Sequence, residues 1–92
     1  MAEWQFAHAE PEEKFALVHT FSMVKNQDGR EIEFIITVKE YEQAKDPAMK
    51  FFAQSDRQTN QKTVPFTPCG WGSTLLQALS DCMRSVRKFP YE

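Results

Sequence analysis

The chain has 92 residues, with eleven Lys and Arg against thirteen Asp and Glu for a formal net charge of −2, and it is 41% hydrophobic and 13% aromatic. That is enough apolar material for one domain with a single core and no staples. The near-balanced charge argues against a dedicated nucleic-acid domain, and two cysteines thirteen positions apart, Cys69 and Cys82, argue against a disulfide framework. With no apolar run of membrane length and no signal-peptide pattern, a cytoplasmic protein is expected.

Residues 1–13, which carry Trp4, Phe6 and the polar run Glu10-Pro11-Glu12-Glu13, read as a partly flexible lead-in to one α+β domain over 14–92. The first strand is expected over 15–24, where Phe15, Leu17, His19, Phe21 and Met23 share one face and form the expected inward side. Asn26-Gln27-Asp28-Gly29 then offers an Asp-Gly pair suited to a tight hairpin turn. The second strand, over 30–41, is the cleanest: Ile32, Phe34, Ile36 and Val38 alternate with Glu31, Glu33, Ile35, Thr37 and Lys39. So short a connection requires antiparallel pairing.

A loop at Ala44-Lys45-Asp46-Pro47 leads to a third strand over 49–55. Residues 56–62 contain no apolar side chain and read as a long exposed loop. Near Val64 to Thr67 a short extended piece could add an edge strand, Pro65 and Pro68 barring it from a central position. The expected architecture is a three- to four-stranded antiparallel sheet in β-β-β-α order with one C-terminal helix packed on one face.

That helix is expected from about 74 to 88. Thr74 followed by Gln77 is a capping box. Leu75, Leu79, Cys82, Val86 and Phe89 then form an apolar stripe that Leu76, Ala78 and Met83 widen, and Pro90 stops the helix. Arg84, Arg87 and Lys88 gather toward the C-terminus, where the helix dipole favours cations. Gly70 and Gly72, flanking Trp71, read as positive-φ positions that turn the chain into the helix.

The run Pro68-Cys69-Gly70-Trp71-Gly72-Ser73-Thr74-Leu75-Leu76-Gln77-Ala78-Leu79 resembles a segment of HicB-like antitoxin domains, where a Pro/Gly/Cys turn precedes Gly-[Asp/Ser]-Thr and a helix. The resemblance covers residues 68–79 and the helix that follows. It implies a small sheet with the helix laid across it, and the binding and inhibition of an RNA-cleaving toxin. The chain departs from that pattern in the polar loop before the turn and in Gln77, Ser80 and Asp81, where acids are more typical.

Catalytic and metal chemistry find little to stand on. No Cys-x-x-Cys or His-x-x-x-His spacing occurs, and neither the Walker nor the Rossmann glycine spacing is present, so no catalytic residue, metal or cofactor is expected. Cys69 ahead of the helix, activated by His8 or His19, is the only conceivable nucleophile. If Ile32, Phe34, Ile36 and Val38 face the helix, then Ile35, Tyr41 and Phe52 lie outside beside Lys39 and Lys50. With Arg57 and Lys62 of the polar loop and Trp71 of the glycine turn, these form the expected partner-binding set.

The sequence thus reads as a non-catalytic protein-interaction module, an accessory subunit or inhibitor, engaging a protein partner or a second copy of itself. The alternative is a single-stranded RNA-binding or antitoxin-like domain. It would use the aromatic sheet face and the basic C-terminal half, where residues 47–92 hold six bases and three acids, a net of +3, against ten acids and five bases, a net of −5, in residues 1–46. No membrane association is expected. Thr74→Ala, which removes the expected cap, should cost about 1 kcal/mol in a urea titration.

Overall fold

The computed structural model describes residues 15–41 and 46–92. The lead-in read over 1–13 and the start of the loop read over 44–47 lie outside these described residues. The elements run β1 (Ala16–Gln27), β2 (Arg30–Tyr41), a 3-10 turn (Pro47–Met49), β3 (Phe51–Ser55), β4 (Cys69–Gly72) and α1 (Leu75–Lys88). The four strands form one antiparallel sheet in the order β1-β2-β3-β4, with α1 on one face. The order is therefore β-β-β-β-α.

β1 and β2 pair without interruption from Ala16 opposite Tyr41 to Gln27 opposite Arg30. The two residues between them, Asp28 and Gly29, have φ of 52° and 76°, the left-handed pair of a type I′ turn whose twist matches the strands it joins. β1 runs three residues past its expected end because its last side chains are held by the far end of the chain. Lys25 Nζ donates to the carbonyls of Val86 and Phe89, both at 2.9 Å, and the Gln27 amide exchanges hydrogen bonds with Tyr91 main-chain groups at 2.8 and 2.9 Å. Lys25 thus supplies protons to carbonyls at the end of α1, where a helix lacks internal partners.

β3 begins two residues later than expected. Asp46 caps the intervening 3-10 turn, its carboxylate accepting from Ala48 N at 2.9 Å and its carbonyl from Met49 N at 2.9 Å.

The fourth strand is not the piece near 64–67. That piece makes a single bridge, Phe66 with Thr59, whereas Cys69–Gly72, read as a turn, pairs with β3 from Gln54 opposite Cys69 to Phe51 opposite Gly72. Gly70 and Gly72 accordingly do not have positive φ; Gly29 alone among the glycines does. Both are buried on the helix side of β4, where α1 crosses at backbone contact. A Cβ on Gly70 would lie 2.5 Å from the Ala78 carbonyl oxygen and 2.7 Å from Cys82 N, and one on Gly72 would lie 2.8 Å from Ala78 N. The glycines are there for closeness, not for a turn.

The core lies between α1 and the inner sheet face. Ile32, Phe34, Ile36 and Val38 of β2, Phe51 and Ala53 of β3, and Ala78, Cys82 and Val86 of α1 are all buried. The inner stripe of α1 thus centres on Ala78, Cys82 and Val86, small enough for the close crossing. Leu75, Leu79 and Met83 flank it half-buried, while Leu76 is 70% exposed and belongs to the solvent side. The expected cap forms: Thr74 Oγ1 accepts from Gln77 N at 3.1 Å, while the Gln77 side chain reaches back to Ser73 N at 2.9 Å, one residue further than a standard capping box. Phe89 leaves the helix in an extended conformation before Pro90.

The polar segment 56–62 is less exposed than its composition suggests. Thr59 is fully buried, trades main-chain hydrogen bonds with Phe66 at 2.7 and 2.9 Å, and is followed by Asn60, whose N–H donates to Pro90 O at 2.9 Å. Its main-chain groups need partners once the loop folds under the C-terminal tail, and polar side chains do not prevent this.

Two alanine substitutions separate the two uses of glycine. Gly70→Ala should cost about 1–3 kcal/mol or more, since backbone must move to admit the methyl group. Gly29→Ala, where nothing lies within 4 Å of the new carbon, should cost about 1–2 kcal/mol through its left-handed φ alone. A Gly70 variant as stable as the parent in urea would contradict the close crossing.

Candidate functional site

Strand alternation sends Ile35, Thr37, Lys39 and Tyr41 of β2 to the face opposite α1, with Phe52 and Gln54 of β3 and Cys69 and Trp71 of β4. Strand register then arranges them in rows. Val18, Lys39, Phe52 and Trp71 form one row across all four strands, and Thr20, Thr37, Gln54 and Cys69 form the next.

The first row carries an aromatic cluster. The Phe52 and Trp71 rings lie 4.4 Å apart between centroids at 40°, and Tyr41 stacks on Trp71 at 6.5 Å and 19°. Such pairs contribute about 0.5–1.5 kcal/mol each beyond their area. Trp71 remains 44% exposed at the outer edge of the cluster. Lys39 pairs with Phe52 on one side and Val18 on the other and so stands in the same row.

Of the expected partner-binding residues, Lys39, Tyr41, Phe52 and Trp71 come together here. Ile35 shares the face but sits apart, beyond the Thr37 and Gln54 row, its N–H and C=O both paired with Asp56 at 3.0 Å.

The other three lie elsewhere. Lys50 Nζ lies 5.8 Å from the ring centroid of Phe51, which faces the core. Arg57 Nε donates to Glu33 O at 2.8 Å, and its guanidinium lies 5.6 Å from the Tyr91 ring centre, forming part of an open polar cleft with Gln54, Gln58 and Thr67. Lys62 stays in its loop, its main-chain N–H donating to Glu92 Oε1 at 3.3 Å. Val18 is the member of the aromatic row that sequence reading missed; the Asp28-Gly29 turn, which fixes the hairpin register, is the signal that places it beside Lys39.

Of the two histidines considered for the Cys69 thiol, His8 lies outside the described residues and His19 does not meet it. His19 is on β1 and Cys69 on β4, at opposite edges of the sheet, about 14 Å apart across three strand spacings. They also lie on opposite faces. His19 Nε2 instead lies 3.6 Å from Glu40 Oε1 on the inner face. Cys82 is buried in the core with its thiol against Pro68 O at 3.5 Å, and burial chiefly, with nearby Cys69 and Asp81 adding, pushes its pKa from 9.0 to about 12. Among the described residues no group of three or more His, Cys, Asp or Glu side chains could hold a metal ion, and no helix is long and apolar enough to cross a membrane.

No protein-family model, curated protein or solved structure matches this chain.

The Cys82 thiol supplies a pH signature. Because its folded pKa is raised, the native state keeps a proton that the unfolded chain releases, so this stability is fully present below about pH 9 and is lost as pH rises toward about 12. Urea titrations across that window should show a decline that Cys82→Ala lessens. An identical slope in the variant would mean the thiol is not held protonated.

Proposed function

We propose that the chain is a small, non-catalytic protein-interaction module, a cytoplasmic accessory subunit or inhibitor, that binds a protein partner through the outer sheet face. The observation that carries this reading is the Tyr41, Phe52 and Trp71 cluster, in which Trp71 meets both other rings and is 44% exposed. Aromatic side chains fixed by one another lose little freedom on binding, and Trp and Tyr are the residues most enriched where binding energy concentrates. A sheet carrying a helix on one face leaves the other free for such a surface. The inhibitor role implied by the turn and helix over 68–79 is one form this activity could take.

Single-stranded RNA binding would use the same rings, but it calls for cations lined up along them. Arg57 and Lys50 are held against Tyr91 and Phe51 instead, and Lys62 sits in the loop beside Glu92. This favours a protein partner.

Trp71→Glu tests the reading. Proteins captured from native extract by the parent chain and identified by mass spectrometry should bind the variant at least tenfold more weakly, with unfolding free energy lowered by about 1–3 kcal/mol for the two lost ring pairs and the chain still folded. Equal capture by both chains would remove the outer face from consideration. Micromolar binding of mixed oligonucleotides that weakens steeply with salt would put the RNA reading in its place.

A further inference from the structure

β1 is the outer strand of the sheet, and among the described residues no strand lies beyond it. It spans twelve residues, about twice the common strand length, pairs with β2 without a bulge, and contains no proline. Exposed edges are ordinarily kept short, bulged, or guarded by proline or lysine. The one lysine of β1, Lys25, is turned into the end of α1 and guards nothing.

The hairpin turn determines which main-chain groups this edge offers. Gln27 and Arg30 flank the two turn residues, so they exchange both hydrogen bonds, and Lys25, Met23, Phe21, His19 and Leu17 follow in alternation. Val18, Thr20, Ser22 and Val24 therefore direct their N–H and C=O groups away from β2.

We infer that this edge pairs antiparallel with the same edge of a second copy, about a twofold axis through Phe21, giving a continuous eight-stranded sheet. The occupant is identified by the strand itself. On the outer face Val18, Thr20, Ser22 and Val24 read alike in both directions: Val18 meets Val24 of the second copy, and Thr20 meets Ser22. Apolar pairs and hydroxyl pairs in these positions stabilise antiparallel sheets. No like charges oppose one another. A shift of two residues either way sets Val18 against Ser22 or Asn26 and loses the match.

The inner face points the same way. α1 packs mainly on β2, β3 and β4, leaving Leu17, Phe21 and Met23 half-buried. In the paired sheet Phe21 meets its counterpart and Met23 meets His19, covering what the helix leaves open. The joint would add about twelve main-chain hydrogen bonds. This edge meets the aromatic row only at Val18, two strands away from Phe52, and each surface can fail without the other.

The test reads oligomeric state by sedimentation equilibrium on the full chain. Val18 and Val24 are 52% and 53% exposed, so both can be changed without entering the core. The parent chain should dimerise at micromolar concentration. Val18→Lys with Val24→Lys, which opposes like charges, should raise the dissociation constant at least tenfold, whereas Val18→Glu with Val24→Lys, which opposes unlike charges between the copies and, at Lys39 and Glu33, within each hairpin, should restore it to within about threefold of the parent. A second readout needs no variant: the amides of Val18, Thr20, Ser22 and Val24 should exchange at least tenfold faster on dilution below the dissociation constant. A strictly monomeric parent, equal effects of the two double substitutions, or concentration-independent exchange at those amides would each overturn the inference.

Discussion

The fold depends on one close approach, the crossing of α1 over β4 at Gly70 and Gly72. There the main chain of Ala78 and Cys82 occupies the space that any side chain on those two strand positions would need. Backbone-to-backbone contact of this kind admits little sliding, so it fixes the helix over the β4 side of the sheet. Much else follows from that position. The buried stripe of α1 must be small at Ala78 and Cys82 and can widen only at Val86, where Ile32 and Phe34 await. Among the described residues no helix covers the opposite sheet face, where Trp71 and Phe52 form a surface. β1, farthest from the helix, keeps only half of its inner face covered.

The same displacement explains the density of polar ties at the other end of the helix. Residues 86–92 would otherwise end in unpartnered carbonyls and a loose tail. Lys25 and Gln27 of β1 and Arg57 and Asn60 of the 56–62 segment reach them from two different parts of the chain. Burial pulls the Lys25 pKa below its ordinary value, the penalty for bringing an ammonium group there. Two charge-assisted hydrogen bonds to carbonyls at the negative end of the helix dipole oppose that penalty.

Much of this architecture was legible in the sequence where local chemistry and final environment agree. β2 shows it best, with β-branched and aromatic residues in strict alternation. The Asp28-Gly29 turn and the Thr74 cap are similarly self-declaring, since each meets a backbone requirement at its own position. β4 was not legible. Cys69-Gly70-Trp71-Gly72 has the composition of a turn, glycine being poor in strands, and it becomes a strand because α1 tolerates nothing larger on its inner side. For the site, alternation alone put Ile35, Lys39, Tyr41 and Phe52 on one face. The contacts of Trp71 with Phe52 and Tyr41 required the registers of β3 and β4. The β4 register is reached across the long 56–68 connection, for which no local pattern exists. Arg57 looked like a free loop cation because its partner, Tyr91, lies 34 residues away in sequence.

The ties from β1 to the C-terminal tail join residues 61 and 64 positions apart, and this separation has a kinetic consequence. The β1-β2 hairpin is local and closes on the microsecond scale, whereas the tail can reach Lys25 and Gln27 only after β4 and α1 have come back across the sheet. Contacts made so late are largely absent at the top of the folding barrier, so they act on the rate of escape from the native state more than on the rate of reaching it. Lys25 is in this sense a latch: it governs how long the molecule stays closed once the helix has docked.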